Sequence, residues 1–211
     1  MQADTARRTP RQERARATVD AILEATAQLL IQDGIGALST NKIAKRAGVS
    51  VGTLYQYFSS KEAILMALGE RTLEAQFERF EEAVTALVAE EEDFDCAVRA
   101  LLKGIMDNKR MQPELSRILL TAGAIGGEDW NQRWLKRQRQ VVRSALHVYR
   151  DRVRPGDADV MTYVITTAFE HVIQDALLHH PELIRDGRLG DELSELAVRF
   201  LRPEPCSGEH A

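Results

Sequence analysis

The sequence is poor in cysteine. Cys96 and Cys206 are the only two in 211 residues, and they lie far apart along the chain. So sparse a supply excludes a disulfide framework, and in a reducing compartment both residues are expected to be free thiols. The five histidines and two cysteines show no paired ligand spacing of the structural zinc type,. We therefore predict neither a bound metal nor a cofactor.

Long hydrophobic runs are absent as well. No stretch of eighteen apolar residues occurs, and the N-terminal segment MQADTARRTPRQ contains no apolar block. These absences argue against a transmembrane helix and against a secretory signal, because both need such a block. The expectation is a cytoplasmic protein without a membrane partner.

Catalytic motifs are also missing. The chain has no glycine-rich phosphate loop, no nucleophile elbow and no paired metal motif,. These absences disfavour an enzyme with catalytic residues in a helical domain, an alternative that turnover of any substrate would revive. We predict a protein that is not an enzyme and has no catalytic residues.

Charge is distributed unevenly along the chain. The net charge is -4, in a composition of 44% apolar and 28% charged residues that is ordinary for a soluble globular protein,. Residues 1–61 nonetheless hold nine Lys or Arg against five Asp or Glu, whereas residues 62–211 hold nineteen against twenty-seven. The basic first part is the part expected to meet nucleic acid.

The segment 39–61, STNKIAKRAGVSVGTLYQYFSSK, predicts two short helices joined by a turn. Ser39 suits the N-cap of the first helix, and Gly48 suits a left-handed residue at its end. Ser50 suits the N-cap of the second helix, in which Leu54 faces inward. A small residue, a turn glycine and an apolar anchor at this spacing are typical of a helix-turn-helix.

The second short helix has an outward set that is small at its start and carries hydroxyl groups further along. A backbone that can be approached closely, followed by side chains that donate to phosphates, suits insertion into a DNA major groove. A glutamine amide on this helix can also reach a base edge. The outward residues are Val51, Gly52, Thr53, Tyr55, Gln56 and Tyr57.

The stretch IAKRAGVSVGTLYQYFSSKEAIL resembles the signature of the TetR/AcrR family of one-component transcriptional regulators. The resemblance implies an all-α protein, with an N-terminal three-helix helix-turn-helix domain and a larger C-terminal helical bundle that dimerises and binds an effector. It also implies a set of DNA-contacting positions. Those positions are Thr40, Asn41, Val51, Gly52, Thr53, Tyr55, Tyr57 and Lys61. Asn41 stands where the family often has arginine, so an adenine or a phosphate is expected there in place of guanine.

Four segments organise the chain. We predict a basic tail at 1–12, the helix-turn-helix domain at 13–59, the effector-binding and dimerisation domain at 60–202, and a second tail at 203–211. Both tails lack apolar periodicity and are expected to be disordered. The arginines of the first tail either aid solubility or lie along DNA phosphates or in the minor groove.

Helical periodicity accounts for most of the chain outside the helix-turn-helix. One amphipathic helix is predicted at 13–33, and a long helix is predicted to begin near Ser60,. Ser59 and Ser60 both offer a cap at its start, and Ser59 and Glu62 have the spacing of a capping box. Further helices are predicted at 94–108, 113–123, 128–151, 158–178 and 191–201.

The predicted helix 158–178 is apolar almost all round. Such a helix must bury two sides, and a second copy of the chain is the commonest cover for the second side. We predict a homodimer in which 128–151 and 158–178 of both protomers form a four-helix bundle. Its predicted interface residues are Val164, Ala168, Val172, Ile173 and Ala176. His171 and Asp175 on this helix either hydrogen-bond across that interface or bind a metal or effector.

An effector pocket is expected inside the bundle of the second domain. Few charged residues are predicted to be buried there, so the effector is expected to be apolar or aromatic. The candidate lining residues are Phe77, Phe80, Leu101, Ile105, Leu119, Trp134, Tyr163 and Phe169. The predicted function is a homodimeric repressor that binds a palindromic operator in double-stranded DNA and is released by a small molecule. A constitutive DNA-binding protein of the same fold, with no such ligand, is the alternative that stays open.

Overall fold

The computed structural model describes residues 10–89, 93–123 and 128–203. Every regular element in these ranges is helical, which confirms the all-α prediction. The helices are α1 (Pro10–Asp33), α2 (Thr40–Ala47), α3 (Val51–Tyr57), α4 (Lys61–Ala89), α5 (Phe94–Met111), α6 (Pro113–Thr121), α7 (Glu128–Val148), α8 (Ala158–His179), α9 (Pro181–Arg185) and α10 (Arg188–Leu201). None of the described helices is long and apolar enough to span a bilayer.

Packing divides the described residues into two units. The first holds residues up to 72 together with 118–123, and the second holds the rest. Both α4 and α6 contribute residues to both units. The sequence predicts a domain boundary at 59–60, immediately before α4. The division by packing falls within that helix instead, after Thr72.

The core of the first unit comes from apolar residues that recur on one face of each short helix. Ile22 and Leu30 of α1, Ile43 of α2 and Leu54 of α3 have no exposed surface. Thr26 is also fully buried between them, and it tolerates this position because its hydroxyl donates to the carbonyl of Ile22 at 2.7 Å. Burial of such side chains is the main driving force for docking helices this short.

Capping ends α2 and starts α3 at the predicted residues. The Ser39 hydroxyl accepts from the backbone N–H of Lys42, and the Ser50 hydroxyl accepts from that of Thr53. Gly48 has a φ of 70°, in the left-handed region where a Cβ is costly, and its N–H closes the end of α2,. These predictions from the sequence are confirmed.

The start of α4 uses one of the two serines predicted as its cap. The cap is Ser60, whose hydroxyl accepts from the N–H of Ala63 at 3.1 Å, so the Ser59 to Glu62 capping box is not formed. A hydrogen bond to its own backbone N–H, and then one from the Ser60 hydroxyl, lower the pKa of Glu62 below its ordinary value. Its carboxylate therefore stays charged at the N-terminal end of α4, where negative charge is favourable.

Two apolar clusters of described residues help to hold the second unit together. One joins α5, α8, α9 and α10 through Met106, Ile173, Leu177, Ile184 and Leu193, together with Ala176. The other joins the beginning of α5 to the ends of α7 and α10. It is formed by Phe94, Leu146, Val153, Met161 and Leu201.

Polar contacts close this bundle around the turn between α7 and α8. Arg154 donates from its backbone N–H to the carbonyl of Leu201 and from Nε to that of Phe200, at 2.8 and 2.7 Å. Its guanidinium also lies over the Phe200 ring, 4.6 Å from the centroid. The turn is thereby tied to the C-terminal end of α10.

Several predicted boundaries need correction. Helix α1 begins at Pro10 and α10 at Arg188, three residues earlier than predicted in both cases, and α9 was not predicted. Proline is well placed at the first position of α9, because the N–H it lacks has no partner there,. The parts of the predicted tails at 1–9 and 204–211 lie outside the described residues. Cys206 is among these residues. Cys96 is an exposed free thiol.

Candidate nucleic-acid interface and apolar cavity

A hydrogen bond between hydroxyl groups links the two short helices on their exposed side. Thr40 at the start of α2 and Tyr55 of α3 place Oγ1 and the phenolic oxygen 3.3 Å apart. Tyr55 is 51% exposed. The two residues that the resemblance assigned to DNA on different helices are therefore brought together at one surface.

Around this pair the surface offers polar groups that no part of the described chain uses. Asn41, Gln56 and Tyr57 are exposed, and their side chains make no hydrogen bond to any described residue. Val51 is also exposed, at 37%. A Cβ added to Gly52 would meet only the Ser50 hydroxyl, at 3.7 Å, so nothing in the first unit requires a glycine there. Its missing side chain leaves the beginning of α3 open to a partner.

Thr53 and Lys61 are less available than the other members of the predicted set. Thr53 is half-buried and its hydroxyl lies 2.8 Å from that of Ser50. This contact supports the cap of α3, so Thr53 contributes first to positioning that helix. Lys61 is half-buried and is the first residue of α4.

Two contacts fix α2 against the end of α1. The Arg46 guanidinium donates to the side-chain carbonyl of Gln32 at 2.7 Å. The ammonium of Lys42 lies 3.6 Å from the Asp33 carboxylate. Exposed pairs of this type contribute little stability, so their effect is mainly on the orientation of α2.

The second unit contains a cavity of about 130 Å³. Its walls come from α4, α5, α7, α8 and α10 and are mostly apolar. The exceptions among the lining residues are Gln138, Tyr149, Thr166 and Glu170. None of these four was among the predicted lining residues. Helical periodicity marks inward positions by their apolar side chains, so it passes over the polar Gln138, Thr166 and Glu170.

The cavity includes half of the residues predicted for it. Phe80, Leu101, Ile105 and Phe169 lie in its walls, and the other four do not. Phe77 and Trp134 pack on each other, with ring centroids 5.2 Å apart. Tyr163 is 54% exposed, under the Arg139 guanidinium. Leu119 is fully buried in the first unit.

The residues predicted for the dimer interface divide into two groups. Val164, Ala168 and Val172 are exposed on α8. Ile173 and Ala176 are each 3% exposed and pack against Met106 in the core of the same unit. Their placement at an intermolecular surface was wrong, because α8 turns these two side chains toward α5 and α10.

His171 and Asp175 do not lie together in a ligand set. The His171 imidazole is 2.8 Å from the carbonyl of Thr167, and the Asp175 carboxylate is 4.0 Å from His179. Both contacts stay within α8. Among the described residues no group of three or more His, Cys, Asp or Glu side chains could hold a metal ion.

Two family models match this chain. The model described as bacterial regulatory proteins of the tetR family matches residues 22–68, which include the helix-turn-helix. The model of the tetracyclin repressor-like C-terminal domain matches residues 93–201, more than half of the sequence. The chain belongs to the TetR family. It is therefore a DNA-binding transcriptional regulator, and α3 is the predicted recognition helix.

Individual relatives support the same assignment at different levels. The nucleoid occlusion factor SlmA of Glaesserella parasuis is 33% identical over 101 residues, 46% of either chain, so this TetR-family chain spans about half of that relative. A TetR-family regulator from Streptomyces coelicolor is 26% identical, with a TM-score of 0.60 over 87% of this chain and 96% of the other. The Stenotrophomonas maltophilia repressor SmeT, in complex with triclosan, has the same fold, with 20% identity and a TM-score of 0.63 over 92% and 96% of the two chains.

Tyr55→Phe is expected to weaken binding to operator and non-operator duplexes alike. The substitution keeps the ring and removes one exposed hydroxyl together with its hydrogen bond to Thr40. Such a bond contributes only about 0.5 to 1.5 kcal/mol net, so the fold should persist. A hydrogen bond to a charged group such as a phosphate contributes about 1.5 to 3 kcal/mol, which corresponds to a loss of about 10- to 150-fold for each such contact. Fluorescence anisotropy at fixed salt measures this loss.

Tyr163→Phe is the matched control, because this tyrosine is equally exposed but lies on α8. Asn41→Ala should behave differently and reduce discrimination at one base pair, by about 1 to 3 kcal/mol. Operator affinity of Tyr55→Phe equal to that of the unmodified protein would remove Tyr55 from the DNA interface.

Proposed function

We propose that this TetR-family protein is a repressor that binds a palindromic operator as a homodimer and is released by a small apolar or aromatic effector. The observation that carries the effector part is the cavity of about 130 Å³ in the second unit, lined mainly by aliphatic and aromatic side chains. The exposed recognition helix supports the operator part.

The operator part follows from symmetry. Each protomer carries one recognition helix, so a two-fold dimer presents two of them to DNA. Half-sites should then lie about one helical turn apart, at roughly 34 to 36 Å from centre to centre. The polar side chains around Tyr55 suit contacts to both phosphates and base edges, so binding should weaken steeply with salt.

The dimer part rests on the exposed face of α8. Val160 is 56% exposed, and Val164 and Val172 are each 42% exposed, with Ala168 between them. Residues at this four-residue spacing share one face of a helix. An apolar face of this kind is commonly covered by the same face of a second copy.

The effector part is supported by a relative of the same fold. SmeT, named as the repressor of a multidrug efflux pump, has a solved structure as a complex with triclosan, an aromatic compound. In the present chain α4 contributes residues to both units. A ligand that prefers one placement of α4 therefore changes how the recognition helix is presented to DNA. Coupling of this type typically amounts to about 1 to 3 kcal/mol.

Calorimetry with and without operator tests the proposal. A panel of single-ring aromatic compounds is first ranked by the shift that each produces in the thermal unfolding temperature of the protein. The compound with the largest shift is then titrated into the free protein and into its operator complex. We expect roughly 5- to 150-fold weaker ligand binding to the complex, because coupling between two sites is reciprocal. Equal affinities in the two titrations would favour constitutive DNA binding instead.

A further inference from the structure

The cavity of the second unit has one charged residue in its wall. Of the described residues that line it, Glu170 of α8 alone carries a charge, and no Lys, Arg or His joins it there. Glu170 is half-buried. A carboxylate in a mostly apolar wall is costly unless a partner satisfies it, so its presence calls for an explanation.

Within the described chain Glu170 has only a neutral partner. One carboxylate oxygen accepts from the side-chain amide of Gln174 at 2.9 Å. Arg139 of α7 makes no ion pair with Glu170. It instead donates to the Thr167 hydroxyl at 2.9 Å and lies over the Tyr163 ring. A carboxylate has about four acceptor sites, so most of the hydrogen-bonding capacity of Glu170 is unused.

The other polar groups in the cavity wall do not offset the negative charge of Glu170. The Tyr149 hydroxyl donates to the carbonyl of Leu87 at 3.1 Å, and that of Thr166 donates to the carbonyl of Thr162 at 2.7 Å. Both hydroxyl hydrogens are therefore directed at the backbone. Among the described lining residues the wall offers acceptors and one negative charge, with the Gln138 amide as the remaining side-chain donor.

Size limits what the cavity can hold without expanding. At about 130 Å³ it is close to an engineered apolar cavity of about 150 Å³ that binds benzene,. Aromatic rings such as Phe169 beside Glu170 also attract a positive charge over their faces,. An anion would meet the Glu170 charge without compensation.

We propose that the cavity binds a single-ring aromatic molecule that carries a protonated amine, with the ammonium group donating to the Glu170 carboxylate. The inference rests on the proposed effector function and defines the class of effector. The ring occupies the apolar part of the cavity. The charge sets the preference among compounds of the same size.

Three probes of similar size test this preference on the full-length protein at neutral pH. Benzylamine, benzyl alcohol and benzoate share one ring and differ in the charge of the substituent. Calorimetry gives the affinities, and methyl NMR of Ile105 and Ile165, which line the cavity, locates the probe. Ile31 of α1, which is 53% exposed, serves as the reference methyl group.

We expect benzylamine to bind at least about tenfold more tightly than benzyl alcohol, because a charge-assisted hydrogen bond is involved. Benzoate should bind least. Glu170→Gln keeps an acceptor for Gln174 but removes the charge, so it should abolish the preference for the amine and leave benzyl alcohol unaffected. Glu192→Gln, at an exposed position on α10, is the matched control and should change nothing.

Two results would overturn this inference without affecting the proposed effector function. One is binding of benzyl alcohol or benzoate at the cavity as tightly as benzylamine, and the other is an unchanged amine preference in Glu170→Gln. If none of the three probes shifts the cavity methyl resonances, the inference also fails. The effector function then falls only if the wider aromatic panel fails to bind as well.

Discussion

Glutamate at both Val164 and Val172 is expected to convert the protein to monomers and to weaken operator binding by about 10²- to 10⁴-fold. Both valines are 42% exposed on α8 and lie eight residues apart on one face. In the proposed dimer, carboxylates at these positions would be taken out of water without a partner, which is costly. A monomer presents one recognition helix and loses the gain from binding two linked half-sites.

Sedimentation velocity and operator anisotropy measure the two parts of this prediction separately. Leu196→Glu is the control, because Leu196 is an apolar residue on α10 that is 55% exposed and lies outside the proposed interface. A variant that remains dimeric would place the interface elsewhere. Monomers that still bind the operator with unchanged affinity would contradict the palindrome.

Ile173→Glu is expected to unfold the second unit, although Ile173 is the immediate neighbour of Val172. Ile173 is 3% exposed and packs in the cluster that joins α5, α8, α9 and α10. A carboxylate there loses its hydration and gains no cation, at a cost of about 3 to 5 kcal/mol. That is a large part of the roughly 5 to 15 kcal/mol that stabilises a typical domain.

Urea denaturation followed by circular dichroism provides the measurement. Val172→Glu is the matched variant, since it places the same side chain one position away at an exposed site. At protein concentrations low enough that the unsubstituted protein is also monomeric, Val172→Glu should keep the helical signal and the denaturation midpoint of that protein. A stable, helical Ile173→Glu protein would show that this side chain is not part of the core.

Local signals explain why the caps and bounds of α2 and α3 could be predicted from the sequence. The caps at Ser39 and Ser50 and the left-handed Gly48 depend on backbone geometry within a few residues, and each is found as predicted. A short helix between such signals has few alternatives. The contact of Thr40 with Tyr55 was not predictable in this way, because it joins residues fifteen apart across the turn.

The sequence of α8 does not show which side of the helix faces the core. A helix that is apolar almost all round has no polar stripe to show which side faces the core. Ile173 and Ala176 were therefore grouped with Val164 and Val172, although the two pairs lie on different faces. The same limit applies to Phe77 and Trp134, whose apolar side chains fit equally well in a cavity wall and in close packing.

The sequence by itself determined the helical class and the helix-turn-helix with its caps, because periodicity, caps and turn glycines act over a few residues. Tertiary structure decided which side of α8 is buried, where the cavity lies and that Glu170 stands in its wall. Those properties depend on how five helices pack around one space, and the side chains that meet there come from positions as distant as Phe80 and Leu201. No local pattern records such a meeting.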